Sequence, residues 1–569
     1  MSARVVTPPP SGMHARPFEP GWLYVENGIE YDHVLRTREG SLLYVDTATG
    51  SGNQRGRAII PYRDPRDYPL LFTLRDIAFS TVLRTYCGIN EVDAALSLTT
   101  RATGFPTWAV LNDHILVCRR GDPVRVIGVD DGAEVFFEDV VARDRDLDPF
   151  TAAVTFDDDG PYLGAMPPAH LVTAWRSRAF FSDGRTMWWS NGFGDYEALP
   201  ASNAALVGQG PFQLVGALST LGDSLVVFRY ASIIVGRGDP SNGGVNMPLV
   251  DTWSDGVGCR SPRSIVPIHG VLWFLAQTGE VCVFDGSSAR SVTKPLQNYL
   301  RPQVALAFDP LNMPRPEANA LPNAVAVWYQ PWNSYVVMME GRTPGVFDLG
   351  FAVNVEDTSK VTVLSGFDAQ ALAVKPGDED SLLTFDRFGA VYIQDRGPLD
   401  TTTTEDPITY AHTYATGRPR FIALPQSLGL GQFDRTSQSR LRILLEHLYA
   451  TGPTVRPVRD TLSLHGRYRA EVVAPNIVYA DSAARPPGYL ADATARGDDF
   501  LIGTTPVAPD GFVAARVGLP GFNPRNSTIE VTNDALADGE TELASPELLR
   551  PPQVGLAAIE WEHYAAGDD

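Results

Sequence analysis

At 569 residues with 44% hydrophobic side chains, the chain can bury a large core, and its 51 glycines, 45 prolines and 10% aromatic content mark a turn-rich β composition, not a low-complexity one. A formal charge of −21 argues against a protein built to grip nucleic acid phosphates, while it suits a wall that DNA passes without sticking. Only Lys294, Lys360 and Lys375 are lysines among 46 basic residues, leaving 43 arginines, which fits a GC-rich coding bias and also the planar fork that Arg offers at subunit interfaces.

Residues 1–60 are irregular, with PPP at 8–10 and TGSGNQRGR at 49–57, and are expected to form an arm or to contribute single strands. The start has no apolar core of a secretory signal, and no apolar run reaches the roughly 18–20 residues that span a bilayer. Within 61–100, LRDIAFSTVLRTY (74–86) is the one modest helical candidate. Six pairs of short apolar runs follow: HILVC–VRVI, RAFF–TMWWS, SLVVF–SIIVG, VLWFL–EVCVF, AVAVW–SYVVMM and SLLTF–AVYIQ. Their first members start at 114, 178, 224, 271, 324 and 381, and the second members start 8–10 residues later. That offset is one strand plus one tight turn, the period of an antiparallel hairpin, and the turns RRGDP, SDGR, AQTG, QPWN and DRFG carry the expected Gly, Pro, Asp or Asn.

Between pairs the spacing is 46–64 residues, near the roughly 40–50-residue repeat of propeller blades with insertions. An isolated hairpin cannot bury its faces, so the units must stack on one another. An all-β fold follows, read as a β-propeller of about six hairpin-based blades, with packed sandwiches as the alternative. The predicted division is an N-terminal arm and irregular β region at 1–100, a propeller at 101–405, and a C-terminal β-rich domain with long loops at 406–569. TTTTED (401–406) marks the second boundary. Beyond it, SRLRILLEHLYA (439–450) reads as a long strand or a helix, residues 475–555 as long loops between short strands, and VGLAAIEWEHY (554–564) as a strand that completes a sheet.

Chemistry-bearing motifs are sparse. The nine histidines include no pair within five residues, and HExxH, CxxC, GxSxG and Walker A patterns are absent. Cys87, Cys118, Cys259 and Cys282 are too scattered for a disulfide scaffold, and Cys118 and Cys282 fall in apolar strand-like runs, as buried thiols do. Ser291–Lys294 fits SxxK without the accompanying KTG. DRDLD (144–148) resembles the start of a calcium loop but has Pro149 where the glycine belongs and Thr155 in place of the bidentate glutamate, and FDDDG (156–160) reads as an acidic turn. FFSDGRTMWWS (180–190) resembles the Asp box of sialidase propellers, except that Ser182 and Asp183 are adjacent where that motif separates them by one residue. No residue qualifies as catalytic, metal-ligating or cofactor-binding, and no cofactor is expected. In SPRSIVPIHGVLWFLAQTGEVCVFDG (261–286), Trp273, Phe274 and Phe284 read as core, with Gly279 and Gly286 setting turns.

Residues 171–300 resemble the β-propeller nozzle or tail-hub proteins of short-tailed bacteriophages. The resemblance is carried by TMWWSNGFGDYEALP, by the hairpin DSLVVFRYASIIVGRG, and by GVGCRSPRSIVPIHGVLWFLAQTGEVCVFDGSSARSVTKPLQNYL, with its small residues, Pro-Arg-Ser step, Trp-bearing strand, Gly-centred turn and aromatic-Asp-Gly before a short helical segment. PRFIALPQSLGLGQFDRTSQSRLRILLEHLY (419–449) and GLAAIEWEHY (555–564) are similar to the strands that follow the propeller in such proteins, while the first 100 residues and 475–550 match nothing in them. The resemblance implies a virion structural protein with no enzymatic activity, present as a homo-oligomer of about six copies in a ring. Its implied neighbours are the portal, the adaptor and tail fibres or other tail proteins, with double-stranded DNA passing through transiently. It would be assembled in the host cytoplasm and carried in the virion tail. The alternatives are a distal tail or baseplate component, a receptor- or carbohydrate-binding propeller, and a propeller glycosidase, which would need two carboxylates at catalytic separation in a central pocket.

Overall fold

The computed structural model describes residues 22–46 and 54–417 apart from internal breaks, the longest at 143–162, 241–248 and 294–319, together with the backbone of strands in 2–6 and 422–565. Seven antiparallel sheets follow one another. Blade 1 is Gln54–Arg63, Pro69–Ile77, Ser80–Cys87 and Leu96–Thr99, and blade 2 is Thr107–Leu111, His114–Cys118, Arg125–Val129 and Val135–Asp139. Blade 3 is Leu171–Trp175, Arg178–Ser182, Thr186–Trp189 and Ala204–Leu206, and blade 4 is Val215–Leu221, Ser224–Arg229, Ile233–Gly236 and Leu249–Thr252. Blade 5 is Val266–Ile268, Val271–Leu275, Val281–Phe284 and Ala289–Ser291; blade 6 is Val325–Tyr329, Ser334–Met339, Leu349–Asn354 and Val361–Ser365. Blade 7 is Ala371–Lys375, Asp378–Phe385 and Ala390–Gln394, and its outer strand, Ser41–Asp46, comes from ahead of blade 1. First strands lie beside one another at most steps from blade to blade, and residues of all seven blades line one axial cavity, so the chain forms a seven-bladed propeller.

Each sequence hairpin falls in a different blade, from 2 to 7. Five are the second and third strands; in blade 6 the pair is the first and second. The sequence missed blade 1. LRDIAFSTVLRTY is not helical: it spans the hairpin Pro69–Ile77 to Ser80–Cys87, whose turn at Ala78–Phe79 holds Ala78 at φ 51° without a glycine, proline or asparagine to mark it. The boundary at residue 101 therefore moves back, with blade 1 at 54–99 and the closing strand at 41–46 both within the propeller.

Blade 5 shows why the middle strands read as unbroken apolar runs. Leu272 and Phe274 pack with Cys282 and Phe284 against Val226, Phe228 and Ile233 of blade 4. Trp273 and Leu275, on the other face, pack with Val281 and Val283 against Tyr335, Val337 and Met339 of blade 6. Alternation is present, but both faces meet protein, so period 2 is hidden. Each such side chain contributes roughly 1.5–3 kcal/mol by leaving water. Trp273, Phe274 and Phe284 are core, and Gly279 (φ 82°) and Gly286 (φ 95°) turn the chain, as expected from the sequence.

Outside the ring, the blade 6 sheet does not end at Val361–Ser365. Trp22–Glu26 adds beside it, then Ile422–Pro425, Ser527–Thr532, Thr451–Asp460, Phe500–Gly503 and Leu490–Asp492, with Ala470–Val472 also paired to Thr451–Asp460, giving a continuous eleven-stranded sheet. A second, seven-stranded sheet centres on Thr436–His447, paired on one side with Val554–Ala565 and on the other with Phe512–Pro520. Of the two readings of 439–450, the strand is the one present, and Val554–Ala565 completes a sheet as expected.

Candidate functional site

The end of the propeller channel where the inner strands begin holds a cavity of about 290 Å³, lined by residues of all seven blades. Its lining mixes apolar side chains (Ile59, Leu171, Leu218, Ile265, Val325, Leu372) with the Thr107, Thr173 and Ser219 hydroxyls and the ring of Trp108. Two charged side chains, Arg57 and Arg263, reach it.

Arg263 is placed by the Pro-Arg-Ser step. Pro262–Ser264 is a single 3₁₀ turn, started by Pro262 and tied into the blade seams by its neighbours. The Ser261 hydroxyl donates to the Ala324 carbonyl, the Ser264 hydroxyl donates to the Ser261 carbonyl at 2.9 Å, and the Tyr335 hydroxyl donates to the Ser264 carbonyl at 2.7 Å. Gly258 and Gly216 allow the chain to pass close here: a Cβ on either would overlap backbone of the adjoining blade segment. From this anchored turn the Arg263 guanidinium reaches the blade 7 approach, donating to the Gln370 carbonyl at 2.7 Å, and the blade 6 approach, donating to the Asn323 carbonyl. It sits 3.9 Å from the centre of the Phe105 ring, which the Arg57 guanidinium also approaches, at 5.4 Å. Burial, with the like charge of Arg57, pushes the Arg263 pKa down to about 9, against the opposing pull of Glu340; it is still charged at neutral pH.

Asp76 anchors Arg57. It accepts from Arg57 Nε at 2.6 Å, from Arg119 through both terminal nitrogens at 2.8 and 2.6 Å, and from the Thr81 hydroxyl. Burial raises the Asp76 carboxyl, but the two arginines outweigh it and hold the pKa below the usual carboxylate range. One carboxylate thus faces two guanidiniums, and Arg263 adds a third cation nearby.

Two further polar clusters lie off the axis. At ring closure, Arg38 gives Nη1 and Nη2 to the two Asp400 oxygens, Nε to Asn27 Oδ1 and Nη2 also to the Ser365 carbonyl, with its guanidinium 4.7 Å from the Phe367 ring centre. On blade 7, a cavity of about 270 Å³ is flanked by Asp348, Asp368, Asp386 and Tyr392. Asp386 accepts backbone N–H bonds from Phe388 and Ala390 across the hairpin turn, and Asp368 accepts from Phe347 and Arg387. Burial pushes Asp368 up to about 6 and Asp386 up to about 7, the latter also through the charge of Asp368. Both carboxylates cap turns, and they lie off the axis, away from the central pocket that a propeller glycosidase would need.

The motifs singled out in the sequence resolve as structure where they are described. Asp183 accepts the N–H of Arg185 and Thr186 around Gly184 (φ 94°), and Ser182 closes the same turn onto the Thr186 carbonyl. Trp189 lies beneath, stacked on Phe180 and donating to the Pro240 carbonyl. Ser291 is in the outer strand of blade 5, while Lys294, DRDLD and FDDDG fall outside the described residues, as does the expected helical segment after residue 294. Cys118, Cys259 and Cys282 are buried free thiols. Among the described residues, no group of three His, Cys, Asp or Glu could hold a metal ion. Neither Arg57, read as part of an arm, nor Arg263, read only as part of a phrase, had been singled out. Their only sequence signal was an arginine beside an inner-strand start.

No family model and no curated protein sequence matches the chain. Similar solved structures include YCF48 from Cyanidioschyzon merolae, at 10% identity and TM-score 0.27, covering 62% of this chain and 98% of that one. Another is a chain of a structure described as the crystal structure of the mitotic checkpoint complex, at 10% identity and TM-score 0.34, covering 63% and 94%. Likeness at that level says nothing of activity, and the propeller rests on its own seven sheets.

Proposed function

We propose that the protein is a structural, non-enzymatic part of a short-tailed phage tail: one copy of a ring of about six that prolongs the DNA channel below the portal and adaptor, retains the genome and conducts it on ejection. The supporting observation is the continuous eleven-stranded sheet. Backbone hydrogen bonds run from blade 6 through Trp22–Glu26 into the C-terminal strands, so the propeller and the second β region share one rigid element instead of a flexible linker. Such a shared sheet suits a part that carries load between neighbours.

On this reading DNA does not run along the propeller axis. A 290 Å³ cavity crossed by Arg263 cannot admit a duplex whose major groove alone is about 12 Å wide. The conduit is the space enclosed by the ring of copies, and the surplus of acid over base keeps phosphate from adhering to it. Electron microscopy and mass measurement of the purified protein test this: a closed ring of about six copies is expected. A monomer that turns over a saccharide, or a particle found only at the distal tip of a tail, overturns it.

A further inference from the structure

We propose that the axial cavity binds a small organic oxyanion, a carboxylate or phosphate monoester on a flat apolar body. This is independent of the ring reading above and would stand or fall without it.

Three observations converge. First, at about 290 Å³ the cavity is at the small end of the range for ligand pockets, and its lining combines apolar side chains with hydroxyls and two guanidiniums, a mixture able to hold a polar head and an apolar body. Second, its charge is the reverse of the chain's. The protein carries −21, yet the cavity is lined by Arg57 and Arg263 and, among the described residues, by no Asp or Glu. Third, Arg263 has no carboxylate within 4.0 Å among the described residues; it meets two carbonyls and the Phe105 face. Two of its five N–H donors are used by those carbonyls, and Arg57 spends Nε on Asp76, so both guanidiniums retain donors beside the cavity.

A desolvated cation with no carboxylate in contact is costly, and an anion bound beside the Arg263 guanidinium would relieve that cost through charge-assisted bonds. The bland reading makes Arg263 a spoke that fastens blades 5, 6 and 7. That role uses the two carbonyl bonds but does not explain why the described lining carries no acid. Trp108 at the cavity wall offers a flat surface for an apolar body, and Ser219 and Thr173 are further donors in the lining.

The test uses the full-length protein with benzoate, phenyl phosphate and uncharged benzyl alcohol at constant ionic strength, read by calorimetric titration and by the shift in Tm. Saturable binding of benzoate or phenyl phosphate, at least tenfold tighter than benzyl alcohol, is expected. Arg263→Gln should weaken it at least tenfold. Because that change also removes the spoke, Arg57→Gln and the cavity-filling Ser219→Leu serve as second variants, and each should reduce binding. Arg387→Gln, beside the blade 7 cavity, should leave it unchanged. No saturable binding of either anion, equal binding of benzyl alcohol, or affinity unchanged in both Arg57→Gln and Ser219→Leu would overturn the proposal.

Discussion

Arg38 and Arg263 both cross seams between blades, and they are held in opposite ways. Arg38 is 2% exposed and lies bidentate on Asp400, with Asn27 and the Ser365 carbonyl completing its set. Arg263 has two carbonyls and the faces of Phe105 and Phe347, with no carboxylate in contact among the described residues. The first joins segments 362 residues apart where the ring must close, and a bidentate Arg–carboxylate pair has one geometry, which selects the partner as well as attracting it. The second joins successive blades whose order the chain already fixes, so carbonyls suffice and the positive charge remains available. Closure uses an ion pair as a latch; the axis keeps a cation in reserve.

The largest expected effect breaks the latch. Asp400→Ala leaves the Arg38 charge buried without its carboxylate and should cost roughly 3–5 kcal/mol. Since the lost contact holds the closing strand, limited proteolysis should release the segment ahead of residue 54 before any other. Arg38→Met combined with Asp400→Leu should recover much of the loss, because a buried pair replaced whole by apolar groups is often neutral. A cost below about 1 kcal/mol for Asp400→Ala, with the N-terminal segment still protected, would show that strand pairing alone closes the ring. Arg263→Met is the matching change on the axis. It forfeits two charge-assisted bonds, about 2–3 kcal/mol together, with the nearby cavity letting water satisfy part of the carbonyl demand. Proteolysis should then show no preference for the N-terminal segment. If both variants release it equally, the two arginines do the same work and the contrast fails.

How much of this was legible in the sequence depends on range. Hairpins with a signalled turn, such as AQTG and DRFG, were visible because glycine and aspartate declare the turn and apolar runs declare the strands. Blade 1 was lost because Ala78–Phe79 turns without a turn residue, and because Leu83 and Tyr86 of the helix-like run 74–86 recur at helical spacing as well as falling in a strand. Trp273, Phe274 and Phe284 were placed in the core by chemistry alone. Arg38, Asp400, Arg57 and Arg263 were not found, because nothing local separates a latch arginine from the other arginines; only the fold brings residue 38 to residue 400. The closing strand Ser41–Asp46 was hidden for the same reason, since its partner, Ala390–Gln394, lies at the far end of the propeller.

The smallest effect asks what a buried carboxylate does without the arginine that Asp400 has. Asp368 and Asp386 share the blade 7 cavity, where Arg387 Nε lies 3.8 Å from Asp368, and Asp348 and Tyr392 also line the wall. Burial pushes their folded pKa values up to about 6 and 7, from an unfolded value near ~3.9. Groups raised on folding favour the folded state fully below the unfolded value, and that contribution is lost as pH rises through the folded ones. Stability should therefore increase from pH 8 to pH 5 through these two groups. Asp285, held down to about 2 by the Ser287 and Ser288 N–H groups, works in the opposite sense only below about pH 4, whereas His170, pushed down to about 4 chiefly by burial, opposes the pair inside the window, so the pair is isolated by comparing a variant with the parent at each pH. Asp386→Asn keeps an oxygen for the Ala390 N–H and carries no charge. At pH 8 it should be more stable than the parent by about 1 kcal/mol, a figure kept low because the adjoining cavity has room for water to screen the pair. At pH 5, where the acid is already largely protonated, the gain should vanish. Urea midpoints for both proteins at both pH values decide it: a gain of equal size at pH 5 and pH 8 would mean that the carboxylate charge is not what the cavity resists.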